Sequence, residues 1–221
     1  NKLAIKIMEE GPDLSTDTDI ANVPKGQPAV EHKLETDDIV TVWGPPGTGK
    51  TYTMAKIANS YIAQGKSVLI VSHSNVSVDG VIKQVVKMLG TDKQSILEDG
   101  KILRFGYVRD DELSQNPYAT SFNYALSKCD SYASQLEHLM AKRDELRAKN
   151  QMKSKEYDEV EHKIKEIRGE IRKEERKYVE RAQVIGTTIS RATIDPMFEK
   201  RQFDLVMFDE VSMAYVPQVI A

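Results

Sequence analysis

The sequence predicts an α/β fold, a parallel sheet that carries a phosphate-binding loop and is interrupted by an inserted antiparallel helical stalk. Three observations predict it. Short β-rich runs alternate with helically spaced segments from 38 to 90, and α/β character returns from 183 to 221; a βαβα order implies parallel strands joined by right-handed crossovers. The string "GPPGTGKT" at 44–51 falls between such a run and such a segment. The stretch from about 120 to 182 has no proline, one glycine (Gly169) and heptad-like spacing.

The elements follow in order. "DIVTVW" at 38–43 is a short apolar run read as the first strand, and "YTMAKIANSYIAQG" has helical spacing ending in Gly65. "SVLIVS" is a second β-rich run, "VDGVIKQVVKML" is helical again, and "KILRFGYV" at 101–108 is a third extended run. After the middle segment, "AQVIGTTI" and "FDLVMFDE" both read as buried strands, with "SRATIDPMFEKRQ" between them.

Bulk properties bound the function. The 221 residues can bury a real core. A net charge of −3, from 31 basic and 34 acidic side chains, supplies no overall basic field, so a nucleic-acid partner must be held by a local surface. A single cysteine, Cys129, excludes a disulfide framework and fits a reducing compartment, which gives a cytoplasmic expectation. No run approaches 18 apolar residues and "NKLAIKIMEE" lacks a signal peptide's apolar stretch, so no membrane partner is expected. The absence of Met at position 1 suggests a piece of a longer protein.

"GPPGTGKT" matches the G-x-x-x-x-G-K-[ST] spacing of a P-loop in its required strand–loop–helix context. Gly44, Pro45, Pro46, Gly47, Thr48, Gly49, Lys50 and Thr51 are the candidate nucleotide-binding residues. Gly47 and Gly49 let successive N–H groups point into one concavity, and the helix beginning near Gly49 adds its N-terminal partial charge. Lys50 is placed to reach the β- and γ-phosphates of ATP, and the Thr51 hydroxyl to hold Mg2+. "FDLVMFDE" delivers Asp209 and Glu210 to the C-terminal end of a strand, the edge where open α/β sheets bind ligands. Asp209 is the candidate magnesium ligand through its water shell and Glu210 the candidate base for the attacking water. Lys50, Asp209 and Glu210 are thus the candidate catalytic residues.

"GPPGTGKT", "VSHSNVSVD", "VIGTTIS" and "FDEVS" occur in the order of the first RecA-like domain of superfamily 1 helicases. Over roughly residues 27–221 the chain resembles the branch similar to the nonsense-mediated decay helicase and its immunoglobulin-switch-binding relative. That resemblance implies an ATP-driven motor on single-stranded DNA or RNA, typically moving 5′ to 3′. It places an adenine-reading glutamine at Gln27, which lies 17 residues before Gly44 (44 − 27); the neutral reading is a solvated loop glutamine. It makes Ser74 and Asn75 contacts to the strand backbone, against capping of the next helix by Asn75 or Ser77. It makes Thr187 and Thr188 a second backbone contact, against two ordinary β-residues. Val211 departs from the family's small residue after the acidic pair. The resemblance also implies a second RecA-like domain, supplying an arginine finger from beyond Ala221.

The middle segment separates the two half-sites. From Tyr157, positions Val160, Ile164, Ile167, Ile171, Glu174 and Tyr178 step by 3, 4, 3, 4, 3 and 4, a heptad seam with only Glu174 polar. Tyr132, Leu136, Leu139, Arg143 and Leu146 follow the spacing more loosely. Two antiparallel helices of about 25 to 30 residues turning near Asn150 return the chain to the sheet. Charges such as Arg143, Lys153, Lys163, Arg172 and Lys173 interleave with acids and read as a solvated face. The expected organisation is a flanking segment (1–26), the first part of the ATP-binding domain (27–118), the stalk (119–182) and the second part of that domain (183–221). An AAA+ remodelling ATPase shares "GPPGTGKT" and the acidic pair but needs neither "SHSNVSVD", "GTTIS" nor the stalk. A nucleotide-gated binding module is the non-enzymatic alternative.

Overall fold

The computed structural model describes residues 27–45, 47–90 and 94–214, with the side chains of 27–29, 31 and 36 outside the description. In chain order the elements are α1 (Gln27–Thr36), α2 (Lys50–Ala63), β1 (Val68–Ser72), α3 (Asn75–Leu89), α4 (Gln94–Glu98), β2 (Ile102–Arg104) and α5 (Asp111–Gln115). There follow α6 (Ser121–Ser127), α7 (Asp130–Ala148), α8 (Lys155–Arg181), β3 (Val184–Thr188), α9 (Ile189–Ile194), α10 (Pro196–Lys200), β4 (Leu205–Asp209) and a 3₁₀ turn, Val211–Met213.

The four strands form one sheet in the order β2-β3-β1-β4, and every pairing is parallel. Alternate residues of β1 divide the core. Val68 and Ile70 face a cluster with Ala55 and Ala58 of α2 and Val78, Val81, Ile82 and Val85 of α3. Leu69 and Val71 face Val179 of α8, Ile189 of α9 and Met197 of α10 on the other side. A helix layer on each face is what buries a parallel sheet, and it explains why "VLIVS" is apolar nearly throughout and buried throughout. Gly186 in β3 sets how closely α3 packs: a Cβ there would lie 2.4 Å from Ile82 Cγ1.

The register puts the site edge in one row. Val68 pairs with Val184 and Leu205 at the start of β1, and Ser72 pairs with Thr188 and Asp209 at its end. The C-terminal ends of β3, β1 and β4 therefore lie side by side.

One strand expectation is corrected. The run "DIVTVW" forms no strand among the described residues, and Ile39, Val42 and Trp43 are 48%, 46% and 88% exposed. An extended segment becomes a strand only through ladder hydrogen bonds, and among the described residues β4 is paired on one side alone, by β1. "KILRFGYV" likewise contracts to the three residues of β2. Beyond Arg104, Phe105 N still donates to the Gly186 carbonyl at 2.8 Å, but the chain turns at Gly106, whose φ is 105°.

The stalk is an antiparallel helix pair. Helix α8 runs for 27 residues, while the upstream arm is split into α6 and the 19-residue α7 at Lys128–Cys129. Asn150 takes φ 55° in the turn between the arms, where asparagine tolerates the left-handed region. Val160, Ile164 and Ile171 pack with Leu136 and Leu146 into a separate apolar cluster. In the last turns the buried positions are Glu175 and Val179 in place of the expected Glu174 and Tyr178. A straight helix of 3.6 residues per turn drifts against a 3.5 repeat, and one residue is the drift accumulated by its end. Tyr178 instead packs edge-on to Tyr124 of α6, at 5.0 Å and 83°, and so joins the stalk to the sheet core. Among the described residues no helix is long and apolar enough to cross a membrane.

Candidate nucleotide site

The phosphate loop is held by its glycines and its lysine. Gly47 and Gly49 take φ of 83° and 86°, the left-handed region that side chains disfavour. Gly44 is constrained differently: a Cβ there would come within 2.6 Å of Thr48 Oγ1, which donates to the Pro45 carbonyl at 2.8 Å. Lys50 Nζ crosses the loop and donates to the carbonyls of Gly44 (2.6 Å) and Pro45 (3.2 Å). Gly49 is the N-cap of α2 and brings no side-chain cap, so the first-turn N–H groups face the loop without a competing side-chain acceptor. Thr51 is half-buried in that first turn. Pro46 lies outside the described residues; Gln27 opens α1, and its side chain lies outside them too.

Asp209 ends β4 and Glu210 follows it in the left-handed region, with φ 54° and ψ 42°. A non-glycine residue in that conformation costs roughly 1–2 kcal/mol, and its carboxylate is turned out of the strand's alternation. Burial pushes the Asp209 carboxyl above the usual carboxylate range and the charge on Glu210 adds to that; the Lys50 ammonium pulls the other way. The P-loop lysine is thus within electrostatic reach of Asp209. Gly47, Gly49, Lys50, Thr51 and Asp209 fit a nucleotide with its magnesium: loop N–H groups and a cation for phosphate, a hydroxyl and a carboxylate for the metal. Among the described residues no cluster of three or more His, Cys, Asp or Glu could hold a metal by itself; the loop and Asp209 have the donor set of a metal that also takes phosphate oxygens.

The segment after β1 turns beside this edge. Ser74 is the N-cap of α3, with its Oγ accepting from Ser77 N at 3.1 Å, so the cap is Ser74 and neither Asn75 nor Ser77. Asn75 Oδ1 accepts from Arg104 Nη2 at 2.8 Å. His73 is exposed beside them. Thr188 is half-buried and caps α9, accepting from Arg191 N at 3.3 Å. Thr187 is fully buried, on the same face of the sheet as its in-register neighbours Val71 and Phe208. Its hydroxyl has no hydrogen-bond partner among the described residues.

Two features were missed by the sequence reading. Arg104, with 0% of its side chain exposed, donates through Nε to Asp79 Oδ1 at 2.6 Å and through Nη2 to the Tyr107 carbonyl at 2.7 Å. Asp79 Oδ2 in turn accepts from the backbone N–H groups of Arg109 (2.6 Å) and Asp110 (3.1 Å). Burial lowers the Arg104 pKa and the Asp79 carboxylate opposes that. A lone arginine inside the apolar run "KILRF" was the available signal, since a charge so placed requires a buried partner. The second feature is a contact from Ser77 Oγ to Glu210 Oε2 at 3.0 Å, across 133 residues of sequence, for which the sequence offers no signal.

A family model described as an AAA domain matches residues 25–221. The chain is 26% identical over 200 residues to the DNA-binding protein SMUBP-2 of Mesocricetus auratus, which covers 86% of this chain and 19% of that protein. It is 29% identical over 181 residues to a regulator of nonsense transcripts 1 from Takifugu rubripes, covering 81% of this chain and 14% of that protein. To the DNA polymerase alpha-associated DNA helicase A of Saccharomyces cerevisiae it is 25% identical over 200 residues, covering 82% of this chain and 27% of that protein. The chain spans less than a third of the length of each of these curated relatives.

Proposed function

Since the chain belongs to the AAA domain family and is of the superfamily 1 helicase kind, we propose that it is the ATP-binding half of a motor that moves on single-stranded DNA or RNA. The observation that carries this reading is the meeting of the P-loop with Asp209 and Glu210 at one sheet edge, where the Ser74–Asn75 turn also arrives. Lys50 and the loop N–H groups bind the ATP phosphates, Thr51 and Asp209 hold magnesium, and Glu210 takes the proton of the attacking water. The magnesium, when bound, neutralises charge on the phosphates. Gln27 is the proposed adenine reader. Ser74, Asn75 and Thr188 are the proposed strand contacts, with Thr187 acting only through its backbone.

A second RecA-like domain is proposed to close the cleft and supply an arginine. Several described arginines are committed elsewhere: Arg104 to the buried pair, Arg201 to the carbonyls of Val179 and Ala182, Arg176 and Arg191 to Asp195. We read residues 27–118 and 183–221 as the two parts of the ATP-binding domain, 119–182 as its stalk, 1–26 as a flanking segment, and the cytoplasm as its compartment. The description "AAA domain" alone would also suit an oligomeric remodeller; the helicase named among the relatives favours a strand motor.

The test is ATP turnover by the full-length protein with and without single-stranded oligonucleotides. Stimulation by at least one of DNA and RNA supports the motor. Turnover indifferent to both, and rising with protein concentration as a ring assembles, would favour the remodeller.

A further inference from the structure

The hydroxyl chain that leaves α3 for Glu210 has no structural task that the cap of α3 does not already perform. Ser74 Oγ donates to Ser77 Oγ at 2.9 Å, and Ser77 Oγ donates to Glu210 Oε2 at 3.0 Å. The cap itself is the separate backbone bond from Ser77 N to Ser74 Oγ. On the reading of Glu210 as the base for water, we infer that Ser77 is a positioning residue that restrains the Glu210 carboxylate and makes its release depend on what occupies the Ser74–Asn75 turn.

Proton count and stiffness decide where the Ser77 hydroxyl points. A serine hydroxyl carries a single proton, so Ser77 donates either to Glu210 or to another acceptor, never to both. The acceptor best able to displace a carboxylate oxygen is another anionic oxygen, and a phosphodiester of a single strand laid on this turn brings one. While Ser77 donates to Glu210, the lone pairs of Oε2 are engaged and the carboxylate is a weaker acceptor for a water proton. Once Ser77 turns to phosphate, Glu210 is free to accept that proton.

The turn is stiff on its other side, which determines which contact yields. Asn75 is gripped by Arg104, and Arg104 is fixed by Asp79, one helical turn further along α3, in a pair that is almost completely buried. Breaking that pair leaves an uncompensated buried charge, whereas the bond from Ser77 to Glu210 is exposed to solvent. Glu210 is itself held in a left-handed backbone conformation, so it has a conformational reason to move when released. Displacement at the turn is therefore taken up at Ser77 and Glu210.

The experiment is ATP turnover of the full-length protein, wild type against Ser77→Ala and Ser77→Thr, each without and with saturating oligo(dT) or oligo(U). Ser77→Ala leaves the backbone cap of α3 intact, so folding is not at stake. The expected result is a rise of about tenfold in strand-free turnover, the scale of one charge-assisted hydrogen bond. Strand-saturated turnover stays within about twofold of wild type, so the stimulation ratio shrinks about tenfold. KM for ATP is unchanged, and Ser77→Thr, which keeps the hydroxyl, restores the wild-type ratio. An unchanged ratio, a fall in strand-free turnover, or an effect confined to KM overturns the inference. If wild-type turnover ignores both oligonucleotides, the strand-motor reading fails separately; the restraint on Glu210 then stands if Ser77→Ala still raises turnover and Ser77→Thr reverses it, and falls if neither variant changes it.

Discussion

Lys50 and Asp79 show how differently two charged side chains act in one α/β domain. Lys50 sits at the mouth of the loop, its ammonium donated to the Gly44 and Pro45 carbonyls, and exchanging those neutral acceptors for phosphate oxygens makes the bonds charge-assisted. Lys50→Ala is therefore expected to reduce the affinity for a non-hydrolysable ATP analogue with magnesium at least a hundredfold, the scale of two charge-assisted bonds, with little change in stability. Calorimetric titration checks it, and unchanged affinity contradicts the assignment. Asp79 is almost completely buried. Asp79→Ala would strand the Arg104 guanidinium and two backbone N–H groups, at a cost of about 3–5 kcal/mol on the scale of broken buried ion pairs. Urea unfolding measures it, and a loss below about 1 kcal/mol would show that water reaches Arg104. The phosphate residues were legible because glycine spacing, lysine and threonine are local features of one short string. The Arg104–Asp79 pair was not: its members lie 25 residues apart, and only the fold says which acid meets which base.

At the scale of elements, the helices announced themselves more reliably than the strands. A helix satisfies its own hydrogen bonds, so α2, α3, α7 and α8 are implied by spacing alone, and the turn near Asn150 falls where the polar stretch predicts it. A strand needs a neighbour, and "DIVTVW" has the composition of one without a paired edge among the described residues. The seam of α8 shows the limit of a 3.5 repeat, for its last polar position is Glu175 and not Glu174. Glu175 packs against α6, its carboxylate accepting from the Ser121 hydroxyl, and Arg191, Arg172 and Arg176 lie within electrostatic reach. Burial raises its pKa above the ordinary glutamate value; the Ser121 hydrogen bond and the arginines only partly offset this. The folded state thus holds this proton more tightly than the unfolded chain. Between the ordinary value and the raised one the folded state binds more protons, so this group's contribution to stability falls as pH rises through that window. Glu175→Gln keeps an acceptor for Ser121 and carries no charge. It is expected to raise the melting temperature at neutral pH and to flatten the stability profile across the window. A variant less stable than wild type at pH 7 would show that the arginines outweigh desolvation.

At the scale of the whole molecule, the row formed by the ends of β3, β1 and β4 brings together segments that the sequence separates by the entire stalk. The order of the motifs could be read directly, and with it the family. Their meeting could not, because it depends on register: Ser72 opposite Asp209 and Thr188 is a fact of pairing. Thr187 makes the same point, since one step along β3 separates a fully buried threonine from the half-buried Thr188. On the proposed reading this edge holds a phosphate loop, a carboxylate for magnesium (Asp209) and a base (Glu210), with the transition-state arginine supplied by a second domain. Such an arginine acts chiefly in the transition state and is worth roughly 10³ to 10⁵ in turnover. Binding and hydrolysis should therefore separate in this chain.

The most direct test of that claim is phosphate release by residues 1–221 beside the full-length protein, with calorimetric ATP-analogue binding measured on the same samples. Residues 1–221 are expected to bind the nucleotide with an affinity within about tenfold of the full-length protein and to hydrolyse it at least about 10³ times more slowly, the lower end of the arginine's worth. Single-stranded oligonucleotide should not rescue the rate, because the cleft it closes needs its second wall. Turnover by residues 1–221 within about tenfold of the full-length rate would contradict the account and show that this chain alone, or copies of it assembled together, completes the catalytic site.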